Sequence, residues 1–426
     1  MSTPPACIRL PREIVDLITS NLKDDKKTLS ACCLISRSTN TWIASCRAHL
    51  FKDFTVHIHR RGHNLVKLLK LLETAWFVAE SVELLCLRNL DEYSVQQSID
   101  VCVAYSLLDK LPHLRELALK YMYCAPRKVP DVPHTNAKFK LRTLTYLPSI
   151  IHEETEGLSA FVQILSLLSE IDELRFQGLR VESDSLYLWT PLAANSLPTI
   201  NSLIFECECE WMLALARDVL QIVSLRVLGM LLWRTADGES EFKAMLTQYG
   251  QNLRGLCLVL SDRKDIVLRE TWRSMLLDTL TSLESVTFIV APKARMNPNS
   301  TELPSIANCV NVLPPAKIAK INLIYAVPRS KTNTHHESWE SYALPTSLTD
   351  EGPAPDPSSY FDDACCALPS LRKVFCGWTV GRVYSLKHPI IIESDVMLWR
   401  SWTPKIGPDV EKGLQRLNDR GLLCLQ

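Results

Sequence analysis

The chain has 426 residues, of which 47% are hydrophobic, so it can bury an extensive core and form about two or three domains. Lys and Arg number 47, as do Asp and Glu, which disfavours binding to nucleic acid or an anionic membrane. The 15 cysteines lie mostly within apolar runs, a usage typical of a reducing compartment. No signal peptide or membrane-spanning run is evident. These features predict a protein of the cytoplasm or nucleus.

Three short amphipathic helices are predicted in residues 1 to 52. Pro11 suits the first turn of a helix, and apolar residues then recur at helical spacing at Ile14, Leu17, Ile18 and Leu22. The polar turn 23–27 supplies an N-cap for a second helix with the apolar residues Leu29, Cys32, Cys33 and Ile35. Trp42, Ile43, Cys46 and Leu50 form a third stripe. Periodicity alone also fits the first helices of an ordinary globular domain.

A family motif overlies these helices. It consists of Leu10-Pro11-x-Glu13-Ile14, Ile18, Leu22, Asp24-Asp25-Lys26-Lys27, Leu29, Cys32, Leu34-Ile35-Ser36-Arg37 and Leu50-Phe51. With these residues the segment resembles the F-box of fungal F-box proteins, which docks on the Skp-type adaptor of a cullin–RING ubiquitin ligase. The resemblance implies that the adaptor-binding or supporting positions are Leu10, Pro11, Ile14, Ile18, Leu29, Leu34 and Ile35. Thr39 stands where the family usually has Trp, and Trp42 comes three residues later.

A leucine pattern recurs along the rest of the chain. Residues 53–78 first show the helical spacing of Leu65, Leu68, Leu69, Leu72 and Trp76, which predicts a helical linker. From residue 79 to 408, L-x-x-L-x-L recurs about every 28 residues. The ten occurrences are Val82/Leu85/Leu87, Leu114/Leu117/Leu119, Leu141/Leu144/Tyr146, Ile171/Leu174/Phe176, Ile200/Leu203/Phe205, Leu225/Leu228/Met230, Leu253/Leu256/Leu258, Leu283/Val286/Phe288, Ile318/Ile321/Leu323 and Leu371/Val374/Cys376.

Helical stretches lie between these candidate strands. Strands that alternate with helices predict parallel pairing with right-handed crossovers. The pattern resembles the irregular leucine-rich arrays that often follow an F-box. We therefore expect an α/β protein in which an N-terminal three-helix F-box precedes a leucine-rich-repeat-like α/β solenoid. The alternative is a generic α/β domain in which the leucine spacing is coincidental.

The residues beside the leucine anchors should face the opposite side of the sheet, which is the concave side of a solenoid. In the early repeats they are polar: Glu116, Lys120, Glu173, Arg175 and Glu206. In the later repeats they are apolar: Val227, Leu231, Cys257, Val259, Ile289 and Ile324. We predict that the later six hold an apolar segment of a target protein. Equally open is that an insertion or the C-terminal tail covers them.

Two segments interrupt or end the repeats. Residues 327–362 combine prolines with charged and hydroxylated residues, which predicts a flexible insertion between the last two repeats. Residues 409–426 are predicted to form a C-terminal closing helix.

Few residues indicate metal or bond chemistry. His57, His59 and His63 could suggest a metal site, but their alternation with apolar residues also fits the exposed side of a strand. The spacing of Cys207 and Cys209 is wrong for a zinc site. Motifs for phosphate binding or nucleophilic catalysis do not occur. We expect no catalytic residue, no metal and no cofactor.

The sequence therefore predicts the substrate-recognition subunit of a Skp–cullin–F-box ubiquitin ligase rather than an enzyme. Its expected partners are the Skp-type adaptor, the cullin–RING ligase and a target protein of unknown identity, with no nucleic acid and no membrane. The alternative is a leucine-rich-repeat scaffold that binds proteins without any link to ubiquitination.

Overall fold

The structure is a computed structural model that describes most of the chain. The described residues are 10–23, 25–35, 40–58, 63–90, 98–125, 139–148, 155–177, 197–206, 217, 222, 225–231, 236–261, 272–273, 275–291, 302–327, 357–380 and 414–425. They form an α/β fold with a large parallel sheet, as predicted. The chain divides into two compact units; the first runs to Asp172, and the second contains Glu173–Gln177 and the chain from Thr199 onward.

The first unit begins with three helices and continues as alternating strands and helices. Its helices are α1 (Arg12–Asn21), α2 (Lys26–Ile35), α3 (Asn40–Phe51), α4 (His63–Thr74), α5 (Trp76–Ala79), α6 (Val101–Lys110) and α7 (Thr155–Leu165). Its strands are β1 (Asp53–Ile58), β2 (Leu84–Asn89), β3 (Ser98–Ile99), β4 (Glu116–Cys124), β5 (Phe139–Pro148) and the start of β6 (Leu168–Gln177).

Strands β1, β2, β4 and β5 lie side by side in chain order and pair in parallel, while β3 pairs with the end of β4. The predicted leucine anchors are in register across them. One row contains Leu85, Leu117 and Leu144, and the next contains Leu87, Leu119 and Tyr146. All six are buried, and full burial of each such side chain contributes about 1.5 to 3 kcal/mol. These rows form the core of the first unit.

The described residues of the second unit contain seven further strands. They are β7 (Thr199–Glu206), β8 (Val227–Leu231), β9 (Gly255–Ser261), β10 (Ser285–Ala291), β11 (Lys320–Val327), β12 (Lys373–Val380) and β13 (Leu423–Leu425). Between them lie α8 (Ala236–Tyr249), α9 (Glu302–Val310), α10 (Pro357–Cys366) and α11 (Gln415–Asp419), with short 3-10 helices at Gly250–Asn252 and Leu277–Thr279.

The leucine anchors of the second unit also form continuous rows. β7 to β13 pair in parallel in chain order. One row contains Leu203, Leu228, Leu256, Val286, Ile321 and Val374, and the next contains Phe205, Met230, Leu258, Phe288, Leu323 and Cys376. Every anchor whose side chain is described is buried. The predicted strand positions and their common face are therefore confirmed in these strands.

Three predicted segments need correction. The linker 53–78 is not wholly helical, because Asp53–Ile58 forms β1 and pairs with β2. The insertion 327–362 is too long at both ends: Val327 belongs to β11, α10 begins at Pro357, and Phe361 is fully buried. Residues 328–356 lie outside the described part of the chain. Within 409–426 the described residues form the short helix α11 and then the strand β13, rather than one closing helix.

Candidate functional site

Three large apolar side chains at the start of the chain are exposed to solvent. Leu10 and Ile14 are each 42% exposed, and Leu17 is 60% exposed. Their spacing places Ile14 and Leu17 on one side of α1, with Leu10 on the same side just before the helix begins. We call these three residues the α1 stripe. An exposed apolar cluster of this kind is characteristic of a surface that meets another molecule.

The opposite side of α1 packs into the helical module. Val15 and Thr19 are fully buried there. The Thr19 Oγ1 atom donates to the Val15 carbonyl oxygen at 3.0 Å and lies 2.5 Å from Ser45 Oγ on α3. The helix therefore turns a threonine inward and two of its largest apolar residues outward. Such an orientation sacrifices burial within the free chain and favours a helix that docks on a partner.

The other predicted adaptor-binding residues divide by burial. Pro11 is exposed, and Ile18 is half-buried beside the α1 stripe. Leu29 is fully buried, so it supports the module from inside and does not reach its surface. Leu34 and Ile35 belong to α2, but their side chains lie outside the described residues.

Trp42, which follows the position where the family has Trp, is half-buried on α3.

The turn between α1 and α2 is held by polar contacts. Asp25 accepts hydrogen bonds from the backbone N–H of Thr28 at 3.0 Å and from its hydroxyl at 2.6 Å, which caps the first turn of α2. These bonds hold the pKa of Asp25 below its usual value, because both stabilise the charged carboxylate. Lys26 Nζ donates to the Asp53 carbonyl oxygen at 3.2 Å, at the start of β1. The polar turn predicted from the sequence thus caps α2 and also contacts the first strand.

An aromatic cluster joins the three helices to the strand and helix that follow. The ring of Phe51 meets Phe54 edge-on at 6.4 Å and Phe77 at 6.0 Å between centroids. The guanidinium of Arg47 lies 4.2 Å from the centre of the Phe77 ring. Contacts of this type each contribute about 0.5 to 1.5 kcal/mol beyond the area that they bury. They fix the helices, and with them the α1 stripe, relative to β1 and α5.

Of the six predicted target-binding residues, the four whose side chains are described are buried or half-buried. Cys257, Ile289 and Ile324 are 2%, 1% and 3% exposed, so these three side chains do not offer an exposed contact surface, and their role in target binding stays a prediction. Val227 is half-buried. The side chains of Leu231 and Val259 lie outside the described residues.

Side chains of neighbouring strands also contact each other closely on the second face of the sheet. The Ile204 side chain occupies the space above Gly229, where an added Cβ would come within 2.6 Å of Ile204 Cδ1. Between β11 and β10, Asn322 Nδ2 donates to Thr287 Oγ1 at 2.8 Å, and both residues are buried. The alternation of faces was therefore predicted correctly, but Cys257, Ile289 and Ile324 on the second face are buried rather than exposed in an open groove.

The polar residues predicted for the early concave face are also only partly exposed. Glu116 and Lys120 are half-buried on β4. On β6, Arg175 is 2% exposed and forms an ion pair with Glu173. The side chain of Glu206 lies outside the described residues.

The residues tested for metal chemistry give no site in the described part of the chain. His57 is exposed on β1, and the side chains of His59 and His63 are not among those described. Cys207 and Cys209 also lie outside the described residues. No group of three or more His, Cys, Asp or Glu side chains is arranged to hold a metal ion in the described ranges. Among the helices described, none has the length and apolar character needed to cross a membrane.

Two sets of surface residues were not assigned a role from the sequence. Leu17 is absent from the positions that the family resemblance implies, although its spacing from Leu10 and Ile14 would have placed it on the same side of the helix. Lys320 and Lys373 share the face of Val227, and the alignment of the anchors Ile321 and Val374 that follow them would have paired them across the strands.

No protein-family model matches the chain, and no curated protein matches it significantly. Its function is therefore argued from its residues and their geometry.

Proposed function

We propose that the chain is the substrate-recognition subunit of a Skp–cullin–F-box ubiquitin ligase. The observation that carries this proposal is the exposed α1 stripe, Leu10, Ile14 and Leu17, within the segment that resembles the F-box. A docking helix must keep its contact side free of its own core, and α1 does so by burying Val15 and Thr19 instead. The three helices would bind the Skp-type adaptor through this stripe, with Leu29 as internal support.

We further infer that the rest of the chain is a leucine-rich-repeat-like solenoid that binds the target protein. Two features support this inference: the strands of each unit follow one another in chain order, and their anchors stack in continuous buried rows. In repeat proteins each element covers the apolar face of its neighbour, which produces rows of this kind. The α/β fold and parallel pairing are common to other architectures, so the solenoid remains part of the proposal.

The proposed mechanism is proximity. The adaptor would hold the N-terminal helices on the ligase, and the repeat domain would hold a target so that its lysines lie near a ubiquitin-loaded enzyme at high effective concentration. The aromatic cluster around Phe51 and Phe77 would transmit the position of the docked helices to the first strands. No residue of this chain would perform bond chemistry. The protein would act in the cytoplasm or nucleus.

Co-purification with the ligase components tests the proposal. The full chain, a Skp-type adaptor and a cullin are co-expressed and separated by size-exclusion chromatography. We expect one complex that contains all three proteins, and we expect hydrogen exchange in Arg12–Asn21 to slow when the adaptor is added. If the chain elutes alone from a properly folded preparation, the ligase proposal is wrong and the scaffold without a link to ubiquitination becomes the better hypothesis.

A further inference from the structure

Basic side chains line one end of the second unit's strands. Backbone bonds place the residues that precede successive strands next to each other: Arg254 N donates to the Arg226 carbonyl oxygen at 2.8 Å, and Glu284 N donates to the Arg254 carbonyl oxygen at 2.9 Å. Two strands further on, Arg372 N donates to the Ala319 carbonyl oxygen at 2.9 Å. Arg226, Arg254 and Arg372 are all exposed. Glu284 lies 4.0 Å from Arg254 and partly offsets its charge.

Lys320 and Lys373 begin β11 and β12 directly opposite each other. Their ammonium nitrogens lie 4.6 and 4.3 Å from the centre of the same ring, that of Phe375. Like charges that face each other across a strand pair destabilise the pair. Within the described residues, neither lysine has a carboxylate partner to offset this repulsion. The two lysines therefore place two positive charges within 4.6 Å of the centre of one aromatic ring.

Ordinary surface lysines would separate and extend into solvent, where repulsion is weak. Here both ammonium groups instead converge on one half-buried ring. The cation–π attraction explains why each lysine contacts the ring but leaves their net charge of two unbalanced. An anionic group between them would remove the repulsion and add two charge-assisted hydrogen bonds. The local charge is therefore suited to a negatively charged ligand, even though the whole chain has a net charge of +0.

The length of the charged region indicates what kind of anion fits. We call Arg226, Arg254, Lys320, Arg372 and Lys373 the basic row. These residues lie at or just before the first position of their strands, so they share one end of the sheet between β8 and β12 rather than one face of it. Five adjacent strands spaced about 4.8 Å apart extend over about 19 Å. An extended peptide covers that distance with about six residues, of which alternate side chains face the same way. Several carboxylates along one polypeptide match such a row better than a single small anion.

We propose that the basic row binds an acidic, carboxylate-rich segment of a polypeptide, with one carboxylate held between Lys320 and Lys373 over Phe375. The segment would belong to the target protein, and only this identification rests on the proposed ligase function. The basic row also takes the place of the predicted apolar target site, whose residues Cys257, Ile289 and Ile324 are buried. Recognition by it would weaken with added salt, since Lys320 is half-buried and the other four side chains are exposed.

Peptide binding to the purified full chain tests the proposal. The probe is a fluorescein-labelled peptide of alternating Glu and Ala, followed by anisotropy, and the reference probe has Gln in place of every Glu. We expect the Glu peptide to bind at least about tenfold more tightly than the Gln peptide, with an affinity that falls as salt is added. Equal binding of the two peptides would overturn the proposal.

Substitutions test which residues bind the Glu peptide. Lys320→Gln with Lys373→Gln should weaken the Glu peptide by about tenfold, whereas Lys67→Gln with Lys70→Gln, which removes two exposed lysines from α4, should leave its affinity unchanged. The thermal midpoint of the first double variant should equal or exceed that of the unmodified chain, because two like charges have been removed. Phe375→Leu keeps both lysines and should weaken binding by a smaller factor. Unchanged affinity in the Lys320 and Lys373 variant would overturn the proposal.

Competing ligands complete the test. A single-stranded oligonucleotide of similar length that binds more tightly than the Glu peptide would assign the row to nucleic acid instead. A Gln peptide with one phosphoserine that binds more tightly would assign it to a phosphate group. Adaptor binding is measured on the same preparations. Its absence from every preparation would contradict the ligase proposal alone. Absence of peptide binding, with adaptor binding intact, would contradict only the proposal that the basic row binds an acidic segment.

Discussion

Thr19 of α1 and Ser45 of α3 share a partly buried contact in which their hydroxyl oxygens lie 2.5 Å apart. This pair determines which side of α1 faces inward. A rotation of the helix that buried Ile14 and Leu17 would expose Thr19 and leave the Ser45 hydroxyl without this partner, at a cost comparable to a lost hydrogen bond. The polar pair thus helps to keep the α1 stripe on the surface.

Replacing Thr19 tests this role. Thr19→Val keeps the shape of the side chain but removes its hydrogen bonds, and we expect the free energy of unfolding of the helical module to fall by about 1 kcal/mol. The matched control is Thr74→Val, since Thr74 also donates to its own helix, at 2.9 Å to the Lys70 carbonyl oxygen, but is exposed. Urea unfolding monitored by hydrogen exchange in α1 measures both. Equal effects of the two variants would contradict the role assigned to the Thr19 and Ser45 pair.

The aromatic cluster around Phe51 and Phe77 should be needed to hold the three helices in a fixed position. Phe77→Ala removes the contacts with Phe51 and Arg47, and we expect a loss of about 2 kcal/mol with faster hydrogen exchange in α1 to α3. Exchange in β11 and β12 should not change. Val66→Ala provides the control, because that side chain on α4 is 67% exposed and its truncation should cost little. If hydrogen exchange in the helices of the Phe77 variant is unaltered, other contacts hold the helices in place.

A buried carboxylate fastens the C-terminal elements. Asp362 on α10 is 4% exposed and accepts from Arg416 N and Leu417 N, both at 2.9 Å, at the start of α11. Asp362→Ala should release α11 and β13 at a cost of about 1 to 3 kcal/mol and should hasten trypsin cleavage after Arg416 and Arg420. In the control Asp363→Ala, only an exposed ion pair with Arg416 is lost, so cleavage should change little. Similar cleavage in both variants would refute the role of Asp362.

The cysteines should differ in reactivity according to burial. Burial raises the pKa of Cys124 to about 12 from an ordinary value of 9.0, so its reactive thiolate is scarce in the folded chain at about pH 8. Alkylation read by mass spectrometry should therefore modify half-buried Cys32 and Cys33 before Cys124.

The same pKa difference has a consequence for stability. The unfolded thiol of Cys124 ionises at its ordinary value and the folded one only near 12, so this group lowers stability as pH rises from about 9 toward 12 and has no effect below that range. In urea, Cys124 and Cys32 should react at similar rates. Alkylation of Cys124 as fast as Cys32 in the folded chain would contradict its burial.

The sequence predicted the strands because burial repeats with the same spacing in each of them. Leu256, Val286 and Ile321 occupy one row since each is the central anchor of its own L-x-x-L-x-L segment. The alternation of faces followed from the same pattern. The same pattern did not predict whether the second face is exposed. The exposure of Ile289 and Ile324 depends on what packs over them, which alternation along a strand does not encode.

The orientation of α1 could not be predicted from its sequence either. Helical spacing identifies the apolar side formed by Ile14 and Leu17, and the usual expectation is that such a side faces the core. The structure turns it outward because Val15 and Thr19 pack on α3 instead. Likewise, the anchor alignment places Lys320 beside Lys373, but the approach of both ammonium groups to the Phe375 ring depends on side-chain conformations that the pattern does not encode.

The central claim is that the α1 stripe binds a Skp-type adaptor, and calorimetric titration of the purified adaptor into the full chain tests it most directly. We predict that Ile14→Asp with Leu17→Asp weakens binding by about 100-fold or more without lowering the thermal stability of the sheet. The matched control Val66→Asp with Leu71→Asp changes two apolar residues of α4 that are 67% and 39% exposed, and it should bind as the unmodified chain does. Full adaptor affinity in the Ile14 and Leu17 variant, or no affinity in the unmodified chain, would contradict the claim.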